Sequence, residues 1–458
     1  MSPSDSDPEY SNSRWTAVRV LVQYRKKQPF MSEQLHAAFR KNHVPPAERP
    51  FVTELVQGTI RRQLQLNWIL RQFIRGKYEK LPDMIRAILQ ISLYQKLFLS
   101  RVPDYAVVDE AVRLTRQSHQ EKLVGFVNGV LRNVLRHLDE LDYPDVDKNP
   151  IEALSIRFSF PEWMVERWVK QFDVKFTRAL LEALNHTPVL SVRVNTLKTS
   201  VKEYASVLKE GGFEPEKGVY LDEFLTIQKS GRIERLPFYE EGYFSIQDES
   251  AGLAAHVLNP QPGERILDMC AAPGGKTTHI AERMKNQGHI IAVDLHARRL
   301  KTVEENARRL GIRCVDTLAA DGRKLSIKPV DRILIDAPCS GLGVISRKPD
   351  IKWRRTLRDI QEMKTIQSEL LENAAGLVRV GGVLVYSTCT IEPEENENQI
   401  FRFLKNHKNF ELEHTGAFVR EILTDSNGFV KTFPNVHHID GSFIARLVRR
   451  RRVGRKKL

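Results

Sequence analysis

Cysteine is scarce in this sequence. Its 458 residues hold four, Cys270, Cys314, Cys339 and Cys389. None forms a Cys-x-x-Cys pair, so zinc-finger spacing is excluded and no bound metal is expected. No stretch reaches the ~18–20 consecutive apolar residues of a membrane span. The opening residues Met1-Ser2-Pro3-Ser4-Asp5 carry no apolar signal core. These absences predict a cytoplasmic protein with free thiols and no membrane partner. No internal repeat or low-complexity tract is visible, which excludes a solenoid. An acidic excess is missing too: the formal net charge is +14. A surplus of this size suits a polyanion, of which nucleic acid is the commonest, and suits equally a soluble protein that is merely basic. Seven Lys or Arg residues lie between Arg449 and Lys457, half of the surplus. The body of the chain is therefore basic without them. The tail reads as a nucleic-acid-binding arm or as a solubilising end.

What is present divides into regions. The length implies two or three domains, and a 41% hydrophobic composition gives each a core. From Arg14 to about Leu141 apolar residues recur at helical spacing, as in Val18, Leu21, Val22 and in Ile85, Ile88, Leu89, Leu93. Pro45-Pro46, Gly76, Pro82 and Pro103 punctuate the pattern, which predicts a helical bundle. Arg61-Arg62, Arg71, Arg75 and Lys77 interrupt it as a solvated face or an RNA-binding one. From about Asp145 to Phe238 the signals are mixed. Pro161 opens a helix, Val189–Asn195 alternates like a strand, and Lys202–Lys209 ends at Gly211-Gly212. This predicts a small α+β subdomain. From Gly242, strands and helices alternate as in a doubly wound sheet. Ile266–Asp268, His289–Asp294, Ile333–Asp336 and Val383–Tyr386 are the buried strands. Each ends at or just before a polar residue, on the edge where such sheets bind ligands.

Asp268-Met269-Cys270-Ala271-Ala272-Pro273-Gly274-Gly275-Lys276-Thr277 links a strand to a helix. Small residues there let the backbone approach a ligand, and a helix N-terminus attracts negative charge. A phosphate-binding P-loop requires glycine where Cys270 stands, and a dinucleotide fingerprint requires Gly-x-Gly-x-x-Gly. A methionine-type nucleoside whose carboxylate lies on the backbone amides remains compatible. Asp294 ends the next strand, where a carboxylate accepts ribose hydroxyls, a placement shared with NAD enzymes. Asp321, in Ala320-Asp321-Gly322, follows in order as a candidate for the adenine edge, although an Asp-Gly pair is also an ordinary turn.

Cys339 follows Asp336-Ala337-Pro338, and Cys389 follows Ser387-Thr388. Each alone reads as a small buried hydrophobe. Two at strand ends, beside an aspartate and near a cofactor loop, suit cytosine chemistry. Carbon 5 of cytosine is a poor nucleophile. A thiolate added to carbon 6 makes the ring an enamine, whose carbon 5 attacks an electrophilic methyl. The reaction needs one thiolate, a carboxyl group and an auxiliary thiol.

Together with Arg347-Lys348-Pro349-Asp350-Ile351-Lys352-Trp353 and Tyr386-Ser387-Thr388-Cys389-Thr390-Ile391-Glu392-Pro393-Glu394-Glu395-Asn396, these motifs resemble the RsmB/NOP2/NSUN family of RNA 5-methylcytosine methyltransferases, and within it the bacterial 16S ribosomal RNA branch. Arg14-Trp15-Thr16-Ala17 and Phe126–Arg132 resemble that branch's NusB-like RNA-binding domain.

The resemblance implies an all-α NusB-like domain (10–142), a small α+β connecting subdomain (145–238), a Rossmann-like S-adenosylmethionine-dependent methyltransferase domain (239–448) and a basic tail (449–458). It implies that Cys389 attacks carbon 6, that Cys339 assists release of the methylated base and that Asp336 contacts the cytosine ring as the acid. Cys270, Ala271, Ala272, Pro273, Gly274, Gly275, Lys276, Asp294, Asp321 and Asp336 would bind S-adenosylmethionine. The expected partner is naked or partly assembled 16S ribosomal RNA, since a flipped base leaves a loop at least cost, and the expected state is a monomer. Asp440-Gly441-Ser442-Phe443 departs from the family's usual second aromatic after the glycine, the basic tail is not a family hallmark, and no PUA-like module is evident.

Two other functions compete. A non-catalytic RNA-binding or assembly factor would lack Cys389 or Asp336. A DNA cytosine methyltransferase would attack through Cys339 and carry a target-recognition insert, for which Ser340–Tyr386 is too short and too helical.

Overall fold

The computed structural model describes residues 13–27, 31–41, 43–100, 102–228 and 236–451. Residues 10–12 of the expected helical domain and 452–458 of the basic tail lie outside them. The chain forms two units, one from residues up to Asn185 together with Lys348–Arg354, the other from His186–Arg347 and Arg355 onward.

The first unit is helical: α1 (Ser13–Lys27), α2 (Met31–Lys41), α3 (Arg49–Phe73), α4 (Asp83–Phe98), α5 (Asp104–Gln117), α6 (Val124–Arg136), α7 (Pro150–Phe158), α8 (Glu162–Gln171) and α9 (Val174–Asn185). Helix α4 is apolar nearly all round and lies in the middle. Its Ile85, Ile88, Leu89, Ile91 and Leu93 are completely buried, each contributing about 1.5–3 kcal/mol on leaving water. Asn149 caps α7 by accepting from the Glu152 amide, with Pro150 in the first turn. The segment 348–354 belongs to this unit. Trp353 packs against its core and donates Nε1 to the Ile60 carbonyl at 2.9 Å. The expected connecting segment 145–238 runs through both units, its first three helices in the first, and its fourth helix and its strands in the second.

The second unit opens with β1 (Leu190–Val194), α10 (Val201–Glu210), β2 (Glu214–Lys217), β3 (Phe224–Gln228) and β4 (Phe244–Ile246). The strands form an antiparallel sheet in the order β2-β3-β1-β4. Ser200 and Glu203 close a capping box at the start of α10.

The remainder alternates as predicted: α11 (Glu249–Leu258), β5 (Arg265–Asp268), α12 (Gly275–Arg283), β6 (His289–Asp294), α13 (Ala297–Leu310), β7 (Val315–Ala319) and β8 (Val330–Asp336). Then come α14 (Ile351–Arg354, within the first unit), α15 (Leu357–Leu377), β9 (Val378–Thr388), α16 (Glu397–Asn406), β10 (Phe410–Glu413), β11 (Val430–Thr432), α17 (Pro434–His437) and β12 (Ser442–Arg449). The sheet runs β10-β12-β9-β8-β5-β6-β7, with β11 beside β12. From β9 to β7 the strands are parallel, while β12 joins β9 antiparallel. Side chains alternate between two cores. Ile333 and Ile335 pack with α15, whereas Leu334 packs with α11 and α12, the period-2 signature of a strand covered on both faces. The chain order reverses between β5 and β8, which opens a ligand crevice at their carboxyl ends.

Candidate active site

The last residues of β5, β6, β8 and β9 are Asp268, Asp294, Asp336 and Thr388. Parallel pairing therefore brings the expected groups to one edge. Backbone bonds beyond the strands fix the loops there: Met269 N–H to Leu334 O and Ala271 N–H to Val293 O, both 2.9 Å, and Ala337 N–H to Ser387 O at 2.8 Å.

The loop from Asp268 to Thr277 ends at Gly274, whose φ of 101° starts α12. A side chain there would be strained. Asp268 is buried. Its Oδ2 accepts from Thr277 Oγ1 at 2.7 Å, while its Oδ1 has no hydrogen-bond partner among the described residues. Burial first, then the Asp336 charge, pushes its pKa up to about 7 against the Thr277 bond. Such an orphaned acceptor at the mouth of a small-residue loop fits a ligand with a cationic or N–H group, as the amino-acid end of S-adenosylmethionine has. Cys270 is half-buried, with its thiol pKa raised by burial and then by Asp268, Asp336 and Asp294. Ala271 and Ala272 are buried, Pro273 is exposed and Gly275 half-buried. Asp294 is buried, takes the His296 amide at 3.0 Å and pairs with the exposed Arg299 at 3.2 Å. Asp321 lies two residues past β7. It caps a turn by accepting from the Arg323 amide and pairs with the Arg323 guanidinium at 2.7 Å.

Lys276 comes from the first turn of α12. Its Nζ meets Asp336 Oδ2 at 2.7 Å, and Ser387 Oγ donates to Asp336 Oδ1 at 3.0 Å. Burial opposes the Lys276 charge, but Asp336 outweighs it and Cys389 adds to it, so its pKa is raised. Asp336 thus sits between an ammonium and a hydroxyl. The sequence leaves the partner of Lys276 open and offers Ser387 only as a polar residue at a strand end, without its bond to Asp336.

The two thiols are half-buried and 3.3 Å apart. The pKa of Cys339 is raised well above the ordinary value by its hydrogen bond to Cys389, then by burial and by the charges of Cys389 and Glu395. Gly343 N–H donates to the Cys389 carbonyl at 3.0 Å, and Gly441 N–H to the Gly343 carbonyl at 2.9 Å. A Cβ on Gly343 would lie 2.2 Å from the Gly441 oxygen, so only glycine permits this approach.

Among the described residues, one other group has metal-ligand spacing, Glu223, His256 and His279. Glu223 Oε1 lies 2.6 and 2.9 Å from the two imidazole Nε2 atoms, and Arg283 Nη1 stands 3.0 Å from His256 Nε2. Burial, then the Arg193 charge, pushes the His279 pKa down to about 3. With a guanidinium already balancing the single carboxylate, the group is a hydrogen-bonded structural cluster.

Comparison with known proteins decides the family. The model of "16S rRNA methyltransferase RsmB/F" matches residues 255–448, that of the NusB family 11–136, and that of the RsmF/B-like ferredoxin-like domain 160–234. A probable ribosomal RNA small subunit methyltransferase B of Synechocystis is 38% identical over 443 residues, 95% of this chain and 99% of the relative. This chain belongs to the RsmB/F methyltransferase family. Its Bacillus subtilis relative of the same name is 35% identical over 93% of this chain and 96% of its own length. The crystal structure of PH0851 superposes with a TM-score of 0.77 at 29% identity, covering 96% of this chain and 99% of that one. That of NSun6 from Pyrococcus horikoshii, solved with SFG, covers 64% of this chain and 99% of its own with a TM-score of 0.58 at 29% identity. This RsmB/F protein is thus an S-adenosylmethionine-dependent methyltransferase. Its Rossmann-like domain is preceded by NusB and ferredoxin-like domains, as its sequence predicts. No helix among the described residues is long and apolar enough to cross a membrane.

Proposed function

We propose that this enzyme methylates carbon 5 of a cytosine in ribosomal RNA of the small subunit through a covalent bond between Cys389 and carbon 6. The relatives' names support the RNA. The observation that carries the chemistry is the 3.3 Å contact between the two thiols beside the Lys276–Asp336 pair.

Cys339 keeps the proton, which leaves Cys389 as the sulfur that adds to carbon 6. Asp336 faces the N3 edge. The proton N3 needs comes through Asp336 from the Lys276 ammonium, so the ring is neutral as the enamine forms. Bound S-adenosylmethionine supplies the electrophilic methyl that carbon 5 attacks. Residues 270–276 with Asp294 hold it, Asp294 on the ribose and Asp321 on the adenine side. When a base takes the carbon-5 proton, its C–H pair restores the ring double bond, the C–S pair returns to Cys389, and N3 gives its proton back through Asp336 to Lys276. Cys339, in contact, donates a hydrogen bond to the departing thiolate. The target base leaves its stack first, so naked or partly assembled 16S RNA is the preferred substrate and the protein acts as a cytoplasmic monomer.

Labelled cofactor and naked small-subunit RNA test this reading. Cys389→Ala lowers transfer by at least about 10³-fold. Cys339→Ala accumulates an RNA–protein adduct that survives denaturing gels. Adduct formation in Cys389→Ala and none in Cys339→Ala would reverse the two roles.

A further inference from the structure

The two sulfurs are the same chemical group in contact, yet the covalent reading, on which this inference rests, requires one to attack and the other to stay protonated. Their surroundings differ in a way the reaction itself does not account for. On the Cys389 side stands a cation, Lys276, whose charge is felt by that thiol. On the Cys339 side stands a carboxylate, Glu395, from the turn between β9 and α16.

Glu395 is completely buried. Its Oε1 accepts from the Ser340 amide at 2.8 Å and from Gln367 Nε2 at 3.0 Å. Its Oε2 lies 2.5 Å from Ser340 Oγ, which lies 2.8 Å from Thr390 Oγ1. With Ser340 donating to Glu395, Thr390 donates to Ser340, and a single chain of hydroxyls runs from one cysteine loop to the other. Ser340 directly follows Cys339, and Thr390 directly follows Cys389. Gln367, on α15, binds the Pro338 carbonyl at 2.9 Å as well, and the Tyr386 hydroxyl donates to the Glu395 carbonyl at 2.6 Å. All three donors to the carboxylate are neutral, so the negative charge it carries is not cancelled by them; burial raises its pKa, and the Ser340 and Gln367 bonds hold it down. A buried charge in low dielectric acts strongly on a neighbour.

The other charged or titratable groups here are few. Cys389, Glu392 and Tyr386 flank the carboxylate or Cys339. Arg355, just before α15, turns its guanidinium onto the Ser340 and Cys339 carbonyls at 2.9 and 3.5 Å and pairs with Asp359 at 3.7 Å.

We propose that Glu395 is the positioning residue that makes the two thiols unlike: through Ser340 and Thr390 it ties the Cys339 loop to the Cys389 loop, and it places its negative charge on the Cys339 side. Cys339 then keeps its proton and Cys389, facing Lys276, attacks. Glu395 touches neither cofactor nor base. It acts through the geometry and charge of the pair.

The test reads the thiols of the free enzyme, without RNA. Each cysteine is alkylated with iodoacetamide across a pH series and quantified by peptide mass spectrometry. In the wild type Cys389 is labelled at lower pH than Cys339. In Glu395→Gln, which keeps the size and removes the charge, the Cys339 profile moves to lower pH and the two converge. With RNA, kcat falls at least tenfold while the KM for S-adenosylmethionine is unchanged. Ser340→Ala keeps the carboxylate and breaks the hydroxyl chain, so it lowers kcat without moving the alkylation profiles. This second variant decides the matter should Glu395→Gln fail to fold. Unchanged profiles and kcat in a Glu395→Gln protein that melts like the wild type overturn the proposal, and so does an unchanged kcat in Ser340→Ala. The covalent reading fails separately, by persistent methylation in Cys389→Ala.

Discussion

Each of the two units takes a lysine out of water, Lys352 completely and Lys276 in large part, and the two behave in opposite ways. In the second unit Lys276 sits against Asp336 at 2.7 Å, and its pKa is raised despite burial. In the first unit Lys352 is completely buried, and no carboxylate among the described residues pairs with it. Its Nζ donates to the Arg61 carbonyl at 2.8 Å and to Asn185 Oδ1 at 3.3 Å, and lies 3.8 Å from the centre of the Phe160 ring. Burial, then the charges of Arg62 and Arg61, pushes its pKa well below the ordinary value. Depth alone does not decide the charge of a lysine; the neighbour that shares its site does. One lysine serves an edge where protons move, and the other fastens a peptide segment into a helical core.

The sharpest way to break this contrast is to remove the neighbour. Asp336→Asn leaves the Lys276 charge without its counterion and takes away the group facing N3. Methyl transfer is expected to fall about 10²–10⁴-fold, read as single-turnover rates with saturating RNA. A loss under threefold would place Asp336 outside the chemistry. In the first unit the corresponding change affects stability. Lys352→Ala leaves a cavity and two acceptors without their donor, and should cost about 2–4 kcal/mol in urea unfolding.

A pH series sharpens the comparison further. Folded Lys352 binds its proton less tightly than the unfolded chain does, so the unfolded state holds more protons as pH falls below the ordinary 10.5. Its contribution to stability therefore rises with pH up to that value. Lys276 has the opposite sign: its contribution is full below the ordinary value and is lost as pH climbs through the raised one. Lys352→Met should flatten the alkaline rise in the urea midpoint of the first unit, and an unaltered slope contradicts the assignment. The smallest effect is expected at Trp353→Phe. It removes the bond to the Ile60 carbonyl and trims the ring beside Lys352, about 1–2 kcal/mol together.

The contrast also explains what was legible in the sequence. The catalytic edge was readable because each parallel strand is a short apolar run stopped by a polar residue. Ile333–Asp336 and His289–Asp294 announce both their burial and the end that faces the ligand. The pairings Lys276 with Asp336 and Ser387 with Asp336 were not readable, since each joins residues more than fifty positions apart through the order of strands in the sheet. Glu395 stood in a motif that drew notice, but its contacts to Ser340 and Gln367 depend on how α15 crosses β9. Lys352 and Trp353 stand in a motif of the resemblance, which does not say what they touch. Only the long-range carbonyls of Ile60 and Arg61 turn them inward.

Because the helical unit is completed by residues 348–354, its assembly cannot finish as its first stretch leaves the ribosome. Synthesis must pass through the cofactor loop and Cys339 before Lys352 and Trp353 arrive to close the bundle. A fragment cut after Asn185 would therefore lack the piece that finishes the helical unit.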